Sequence, residues 1–308
     1  MTSKIVAIQG DHPSKLNPST DTSIFLANEI QDKKYKIFYY QPQDLSILNS
    51  KVVAKGFFIK IDYNKKKIFK ILKRCYLNLS KCKFILIRQN PPFNIEYIST
   101  THILDTIKKK TKIINDPESI RNISEKIYSA KYKKFMPDTI FTQDINEIKK
   151  FFKNHKKVII KPVHSFGGND IRLLTKFNKI LIKKLINKHS FLMCQKYLPN
   201  ISNGDKRVFI INGKICGTIS RVPRKGSFLS NLSKGAKAFN AKLTNLEKKI
   251  SKKIAADLKK ENIFLSGIDF IDQKLNGDIN VTSPTGLKTL HDLSKINLAK
   301  TFWKELKA

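Results

Sequence analysis

One stretch, residues 157–169 (KVIIKPVHSFGGN), constrains the fold more than any other part of the sequence. Its β-branched run Val158–Ile160 predicts a short buried strand, and Pro162 keeps Lys161 out of a helix at the end of that strand. Two adjacent glycines follow in a loop of small residues, and such a loop can present several backbone N–H groups to one anion. The stretch therefore indicates either a phosphate-binding lysine and loop or a plain hairpin turn with a solvated lysine.

Strand and helix patterns alternate along the first part of the chain. Residues 4–9 and 36–40 predict strands with a helix over 20–32 between them, which is a βαβ unit. The stretch 51–76 alternates apolar and basic residues and predicts antiparallel strands. Residues 84–88 predict another buried strand.

This last strand runs into Gln89–Asn94, a proline-rich turn at a strand's carboxyl end, which is where α/β sheets place ligands. A helix over 95–110 and a strand over 112–114 are expected next. Asp116 is then expected to cap a new helix. We expect the first domain to end near residue 122.

The remaining residues, 123–308, predict a second α/β domain. We expect helices over 122–132, 143–153 and 243–260, strands over 137–142, 191–195, 206–211, 214–222, 264–271 and 278–281, and C-terminal helices. Hairpin turns are predicted at Asn212–Gly213 and Asn276–Gly277. The segment Pro223–Ala241 is rich in Gly, Ser, Lys and Asn with little periodicity, which predicts a mobile lid.

The net charge of +36 would ordinarily suggest a nucleic-acid partner. However, the chain has 53 lysines and seven arginines, and the lysines are spread over its whole length. Dedicated nucleic-acid binders more often cluster arginine and exposed aromatic residues on one face. The composition is instead typical of an AT-rich genome, so we expect no specific nucleic-acid partner.

Membrane and metal-scaffold classes are also disfavoured. No apolar run reaches the roughly 18 residues that a membrane span needs. The apolar core of Met1–Gly10 is too short for a signal sequence, which favours a cytoplasmic protein. The four cysteines show no Cys-x-x-Cys spacing and suggest neither disulfides nor structural zinc.

Acidic residues near the C-terminus form the most informative constellation. Asp278 and Asn280 are two residues apart and therefore point to the same side of one strand, and Asp269 lies on the preceding strand. Two carboxylates and an amide oxygen are hard ligands suited to Mg²⁺ that bridges ATP phosphates. The alternative is that Asp278 caps a turn and Asp269 pairs with a lysine.

Short motifs along nearly the whole chain occur together in one known family. They are Arg88-x-x-Pro-Pro-Phe, Asn115-x-Pro, Glu125-Lys126, Lys161-Pro162 with Gly167-Gly168, Gln195-x-Tyr-Leu-Pro199, Gly204-Asp-Lys-Arg207, Arg221-x-Pro, Asn231-Leu232, Gly267-x-Asp269 and Asp278-Ile-Asn-Val-Thr-Ser-Pro-Thr285. Together they resemble prokaryotic glutathione synthetase, a family of the ATP-grasp superfamily.

The resemblance implies an α/β fold with an N-terminal Rossmann-like (pre-ATP-grasp) domain, residues 1–122, followed by a two-lobed ATP-grasp domain, residues 123–308. It implies an ATP-dependent carboxylate–amine ligase that joins γ-glutamylcysteine and glycine through an acyl phosphate, with Mg²⁺, or Mn²⁺, as cofactor. It further implies a homotetramer. The alternatives are an ATP-grasp ligase for another acid and amine, and an inactive ATP-binding relic.

Roles for individual residues also follow from the resemblance. Those implied to bind ATP are Lys126, Lys161, Ser165, Gly167, Gly168, Gln195, Lys196, Tyr197, Leu198 and Asp205. Those implied to act in catalysis are Arg207 and Arg221, and those implied to bind metal are Asp269, Asp278 and Asn280. Those implied to bind the acid or amine substrates are Arg88, Asn231, Ser283 and Thr285.

The chain departs from the family pattern at several of these motifs. Neutral Gln89, Asn90 and Asn94 stand at usually charged positions of the proline turn. The usual Asp-Gly-x of the phosphate loop is His164-Ser165-Phe166, and Asp278 replaces the usual glutamate. In the lid, Leu229-Ser230 stands for Arg-Gly, and Ala236 stands for a glycine. These changes concern the substrate more than the fold.

Overall fold

Three β-sheets organise this protein in a computed structural model, which describes residues 4–65 and 68–308. The first sheet contains β1 (Ile5–Gln9), β2 (Lys36–Tyr40), β3 (Leu45–Leu48), β4 (Lys51–Ile61), β5 (Phe69–Asn78), β6 (Phe84–Ile87) and β7 (Lys112–Ile114). Its helices are α1 (Thr22–Gln31), α2 (Ile95–Asp105) and α3 (Pro117–Asn122). Residues 1–3 of the apolar N-terminal segment and residues 66–67 of the predicted antiparallel stretch lie outside the described residues.

The first sheet has a parallel centre and an antiparallel extension. Its strand order is β3-β4-β2-β1-β6-β7, and β5 pairs with β4. Strands β2, β1, β6 and β7 run parallel, so the predicted βαβ unit is confirmed. The carboxyl ends of β1 and β6 therefore meet at one edge, and the predicted proline turn starts there.

The second sheet and its two helices form a small lobe. Its strands are β8 (Thr139–Thr142), β9 (Val158–Pro162), β10 (Arg172–Leu174) and β11 (Leu192–Lys196), and its helices are α4 (Ile145–His155) and α5 (Lys179–His189). The strand order is β10-β9-β11-β8, and all pairs are antiparallel. A core of its own, with Ile148, Ile160 and Leu192 at its centre, packs the helices on the sheet.

The third sheet forms a large lobe with three helices. Its strands are β12 (Asp205–Ile211), β13 (Lys214–Val222), β14 (Lys237–Asn240), β15 (Leu265–Ile271) and β16 (Lys274–Asn280), and its helices are α6 (Asn245–Lys260), α7 (Leu287–Ser294) and α8 (Leu298–Glu305). The order is β14-β13-β12-β15-β16. Helix α8 packs this lobe on the first domain, where buried Trp303 donates a hydrogen bond from Nε1 to Leu26 O at 2.8 Å.

The structure corrects the predicted turn at Asn276–Gly277. The turn between β15 and β16 lies at Asp272–Gln273, where both residues have positive φ, 49° and 62°. Asn276 and Gly277 lie inside β16, at an irregularity in its pairing with β15. A Cβ atom built at Gly277 would lie 2.2 Å from Met193 Cε of β11. The glycine is therefore needed for close contact between the two lobes.

Two further boundaries differ from expectation. The helix predicted over 122–132 is replaced by the end of α3 and a 3-10 segment, Ile127–Phe135. The predicted lid Pro223–Ala241 contains an edge strand, since β14 pairs with β13. The irregular part of the lid is therefore residues 223–236, which we call the lid loop. Among the described helices, none has the length and apolar character needed to cross a membrane.

Asn115 ties the first domain to the large lobe. Its buried side chain donates hydrogen bonds from Nδ2 to the carbonyl oxygens of Leu265 (2.8 Å) and Val281 (2.6 Å). Its Oδ1 accepts from the backbone N–H groups of Phe264 (2.9 Å) and Leu265 (2.8 Å). One amide thus holds the start of β15 and the residue after β16, which fixes both strands against the first domain.

Replacing Asn115 by alanine should destabilise the protein strongly, because it leaves several buried backbone groups without partners. We expect a loss of about 3 kcal/mol or more in the free energy of unfolding, measured by urea denaturation. Asn200→Ala is the matched control, because it removes an exposed amide that makes one hydrogen bond to Asp272. Equal stability of the two variants would contradict a structural role for Asn115.

Candidate active site

An open cleft of about 890 Å³ separates the small lobe from the large lobe. Strands β9 and β11 form one wall, and β12, β13, β15 and β16 form the other. The loop of residues 164–170, which we call the glycine loop, and the lid loop close it from above. We refer to it as the central cleft.

The central cleft collects most of the side chains singled out from the sequence. The predicted residues that line it are Lys126, Lys161, Ser165, Gly167, Gly168, Gln195, Lys196, Tyr197, Leu198, Asp205, Arg207, Arg221, Asn231, Asp269, Asp278 and Asn280. They come from segments spread over more than 150 residues of sequence. The fold therefore brings the predicted ATP, catalytic and metal positions into one place.

A second cleft of about 950 Å³ opens beside the first, and we call it the side cleft. It contains Ser283 and Thr285 together with Asn90 and Pro91 of the proline turn. The two clefts share lining residues: Glu125, Phe166, Gly167, Arg207, Arg221, Asn231 and Asn280. Ligands bound in the two clefts would therefore contact each other beside these shared residues.

Arg88 lies behind the side cleft. The residue is 6% exposed, and its guanidinium donates from Nη2 to Pro284 O at 3.0 Å and from Nε to Ser23 Oγ at 3.1 Å. Ser283 Oγ in turn donates to Arg88 O at 3.2 Å. The geometry makes Arg88 a support for the 283–285 segment.

Two lysines meet Asp278 on the floor of the central cleft. Lys161 Nζ lies 3.3 Å from Asp278 Oδ2 and donates to Asn276 O (2.7 Å) and Asn276 Oδ1 (2.8 Å). Lys126 Nζ lies 3.6 Å from Asp278 Oδ1 and donates to Ser165 O at 2.7 Å. The irregularity in β16 turns Asn276 and Asp278 toward these lysines.

Burial and charge act against each other at this lysine pair. Burial lowers the pKa of Lys161, and Lys126 adds to the effect, while Asp278 opposes it. Burial would raise the pKa of Asp278, but the two lysines outweigh burial and hold this pKa below its usual range. The floor thus carries two cations close together with one carboxylate between them, which favours an additional anion.

Asp269, on the strand next to that of Asp278, binds two arginines of the large-lobe wall. Arg207 stands directly across from it in the β12–β15 pairing and donates from Nε at 2.9 Å and from Nη2 at 2.7 Å. Arg221 Nη2 lies 3.0 Å from Asp269 Oδ2. Burial disfavours the charge on Asp269, but the two guanidinium groups outweigh burial and hold its pKa well below the usual range.

Apolar side chains dominate the other end of the cleft. Ile159, Ile171, Ile201 and Ile271 line it beside the chain segment 195–198. The backbone of that segment is held by hydrogen bonds from Lys196 N to Asp138 O and from Tyr197 N to Lys157 O. A flat apolar slot with an ordered backbone edge suits a heteroaromatic ring.

The glycine loop and the lid loop touch each other over the cleft. Gly167 and Gly168 have φ of 62° and 76°, and a Cβ atom built at Gly168 would lie 2.6 Å from Asn231 Oδ1. Lys234 Nζ of the lid loop donates to Asn169 Oδ1 at 2.8 Å. Both loops are therefore closed over the cleft in this structure.

Glu125 is a cleft residue to which sequence reasoning gave no role. Its Oε1 accepts hydrogen bonds from Val281 N (2.8 Å), Thr282 N (2.9 Å) and Thr282 Oγ1 (2.8 Å). It thereby fixes the segment after β16 next to Lys126. The Glu125-Lys126 motif was the available signal, but a motif alone does not show which side chain organises the backbone.

The donor set fits a hard divalent cation that is shared with a phosphate ligand. Among the described residues, no three His, Cys, Asp or Glu side chains cluster closely enough to bind a metal. Asp269, Asp278 and Asn280 supply two carboxylates and an amide oxygen, and Asn280 Nδ2 lies 3.4 Å from Asp269 Oδ2. Mg²⁺ commonly takes one or two carboxylates and completes its shell with water and substrate phosphates.

Sequence comparison identifies two adjacent regions of similarity. Residues 5–121 match the family described as prokaryotic glutathione synthetase, N-terminal domain. Residues 125–295 match prokaryotic glutathione synthetase, ATP-grasp domain. The two matches together extend over nearly the whole chain.

Individual proteins show the same similarity. The glutathione synthetase of Mesorhizobium japonicum is 34% identical over 303 residues, which cover 97% of this chain and 96% of that protein. The glutathione synthetase of Brucella melitensis biotype 1 is 33% identical over 308 residues, with 98% of each covered. A solved structure of the ATP-grasp ligase PsnB with a phosphomimetic variant of minimal precursor, Mg and ADP has a TM-score of 0.62 at 13% identity and covers 100% of this chain and 98% of its own. That last likeness shows the fold alone.

Changing Asp278 to asparagine should destabilise the protein, because Lys126 and Lys161 then face each other without a carboxylate between them. We expect a loss of about 2 kcal/mol in the free energy of unfolding at pH 7. The pKa of Asp278 is lower in the folded chain, so its contribution is present above about pH 4 and disappears as the pH falls through the folded value.

Urea denaturation at several pH values measures this difference. Asp272→Asn is the control, since it makes the same change in the exposed turn before β16. A stability gap between Asp278→Asn and wild type that stays constant from pH 7 to about pH 2 would show that the carboxylate charge is not what holds the lysines.

Proposed function

The chain belongs to the prokaryotic glutathione synthetase family, and from this premise we propose the roles of its residues. It is an ATP-dependent ligase that forms a C–N bond. Its reaction joins γ-glutamylcysteine to glycine at the expense of ATP, giving glutathione, ADP and phosphate. The observation that carries the assignment is the convergence of Lys126, Lys161, Arg207 and Arg221 on paired carboxylates in one cleft.

ATP is assigned to the central cleft. The adenine would lie in the apolar slot beside Gln195, Lys196, Tyr197 and Leu198, with Asp205 at the edge of the same cleft. The phosphates would lie on Lys126 and Lys161, under the backbone N–H groups of Gly167 and Gly168 and beside Ser165, whose own N–H donates to Pro162 O. The two buried lysines share one carboxylate and otherwise donate to neutral oxygens, so phosphate oxygens would offer them stronger, charge-assisted hydrogen bonds.

Asp269, Asp278 and Asn280 are assigned to Mg²⁺, with Mn²⁺ as a possible substitute. When bound, the cation would neutralise charge on the β- and γ-phosphate oxygens and keep them aligned. Entry of ATP would draw the lysines toward its phosphates, which frees the oxygens of Asp278 for the cation. The site is therefore expected to bind metal together with the nucleotide.

The acid and the amine are assigned to the side cleft. Asn231, Ser283 and Thr285 would bind the dipeptide, and Arg88 would act from behind by holding Pro284 in place. The dipeptide carboxylate attacks the γ-phosphorus, and the bond from that phosphorus to ADP breaks. The glycine amine then attacks the acyl carbon, the bond to phosphate breaks, and a proton leaves the nitrogen.

Arg207 and Arg221 are assigned to catalysis because they line both clefts. A guanidinium at this shared position can donate to the transferring phosphoryl group and keeps its charge at any physiological pH. Asp269 holds both side chains in place before a ligand arrives.

Two other readings receive less support. A ligase for another acid and amine, and an inactive ATP-binding protein, would both share the fold. Full-length similarity to glutathione synthetases favours glutathione synthesis over either. Membership of this family also leads us to propose a homotetramer that acts in the cytoplasm, where ATP is available.

ADP release should require Mg²⁺, ATP, γ-glutamylcysteine and glycine together. A coupled ADP assay measures the rate, and mass spectrometry identifies glutathione as the product. Omitting either γ-glutamylcysteine or glycine is the control. ADP formation at an equal rate without one of them, or none with all four, would contradict the assignment.

Asn280→Ala should remove one metal ligand and lower kcat by roughly a hundredfold. The Mg²⁺ concentration for half-maximal rate should rise, because the remaining protein ligands are only two carboxylates. Asn154→Ala serves as the control, since it removes an exposed amide on α4 of the small lobe, outside both clefts. Activity of Asn280→Ala within about threefold of wild type would place the metal elsewhere.

A further inference from the structure

The lid loop contacts the large-lobe wall of the central cleft through Ser230. Ser230 is 8% exposed, and its Oγ donates to Asp205 Oδ2 at 2.5 Å. Other lid residues touch the glycine loop instead, as Asn231 and Lys234 do. Ser230 thus provides a contact from the lid to the wall that carries the two arginines.

Asp205 is itself buried and holds Arg221. Across the β12–β13 pairing, Arg221 donates from Nε to Asp205 Oδ1 at 2.7 Å and from Nη2 to Asp205 Oδ2 at 2.5 Å. The same Nη2 lies 3.0 Å from Asp269 Oδ2. Ser230, Asp205, Arg221 and Asp269 therefore form one connected chain from the lid to a proposed metal ligand.

The family pattern that this chain resembles does not provide this connection. The family pattern has Arg-Gly where Leu229-Ser230 stands, and a glycine has no hydroxyl with which to reach Asp205. Leu229 lies on the glycine loop, since a Cβ atom built at Gly168 would be 3.7 Å from Leu229 Cδ2. Compared with that pattern, this chain has an apolar side chain in place of the arginine at residue 229. It has a hydroxyl in place of the glycine hydrogen at residue 230.

We propose that Ser230 is a positioning residue that couples closure of the lid to the orientation of Arg221. The inference rests on the proposed function, in which Arg221 serves the phosphoryl transfer. With the lid closed, the Ser230 hydroxyl donates a hydrogen bond to Asp205 Oδ2 and fixes the plane of that carboxylate. The Arg221 guanidinium is bonded to the same carboxylate, so its orientation is fixed as well. With the lid open, Asp205 keeps Arg221 as its donor but loses the third hydrogen bond that fixes its plane.

The first experiment measures closure without turnover. Trypsin cleavage in the lid loop is followed by mass spectrometry of peptides ending at exposed Arg224, Lys225 and Lys234. Ser230→Ala should be cleaved about tenfold faster than wild type in the free protein, because a hydrogen bond to a charged group is lost. Ser227→Ala is the control: its hydroxyl accepts from Leu229 N within the lid, so cleavage should match wild type.

The second experiment measures the consequence for catalysis. Ser230→Ala should lower kcat about tenfold and leave the KM for ATP within about twofold, because Arg221 acts on the transferring group. Ser230→Thr keeps the hydroxyl and should recover most of both properties. A melting temperature near that of wild type shows that the variant is folded.

A double variant keeps the inference testable if Ser230→Ala folds poorly. Ser230→Gly introduces the residue of the family pattern and should behave like Ser230→Ala. Adding Leu229→Arg to it restores the pair of the family pattern and should raise kcat. This variant is compared by kcat alone, because the added arginine is itself a trypsin site. If the single Ser230 variants match wild type in both cleavage and kcat, the coupling is refuted while glutathione synthesis stands.

Two other results distinguish the proposed function from the coupling through Ser230. If wild type makes no glutathione but Ser230→Ala still opens the lid, the proposed function fails and the lid contact stands. Fast cleavage with unchanged kcat would show that Ser230 holds the lid without orienting Arg221, which overturns the coupling.

Discussion

Charge pairing in the central cleft is the constraint on which the rest of the site depends. Burying a charged side chain is costly unless an opposite charge and hydrogen bonds accompany it. Asp278 meets two lysines and Asp269 meets two arginines, so every charge is paired before any ligand arrives, and the cations still outnumber the carboxylates, which favours an anionic ligand. An anionic ligand that enters would replace some of the present hydrogen-bond acceptors of these lysines and arginines. The side chains are already in position, so they need to reorganise little on the way to the transition state.

The sequence predicted this set more accurately than it predicted the backbone that presents it. Arg207 faces Asp269 because β12 and β15 pair in that register. The sequence singled out both residues but did not predict that they pair with each other. The irregular stretch of β16 was missed, because Asn276-Gly277 is a strong hairpin signal in isolation. The close contact between Gly277 and Met193 of the other lobe decides its conformation, and a contact between segments so distant in sequence leaves no local signal.

The seven arginines show how a lysine-rich chain keeps a few special sites. Arg207 and Arg221 make the buried pairs of the cleft, and Arg88 supports the segment at Pro284. Arg121 pairs with Asp105 between two helices of the first domain. A planar fork with fixed charge suits these partly buried positions, whereas lysine serves on the surface. Lys126 and Lys161 of the cleft floor were recognised only by the motifs around them. In a chain with 53 lysines, the residue type alone does not distinguish them.

The neutral residues of the proline turn differ in how closely they approach the side cleft. Gln89 is buried and accepts from Gln9 Nε2 at 2.5 Å, so it belongs to an amide network inside the first domain. Asn94 caps α2 by accepting from Tyr97 N at 3.0 Å. Asn90 lines the side cleft and donates to Asp11 Oδ2 at 2.5 Å. Of these three positions, which are usually charged in the family pattern, Asn90 lies in the side cleft. Gln89 and Asn94 instead serve the packing of the first domain behind that cleft. Asn90 is therefore the changed residue of the turn that shares the side cleft with Ser283 and Thr285.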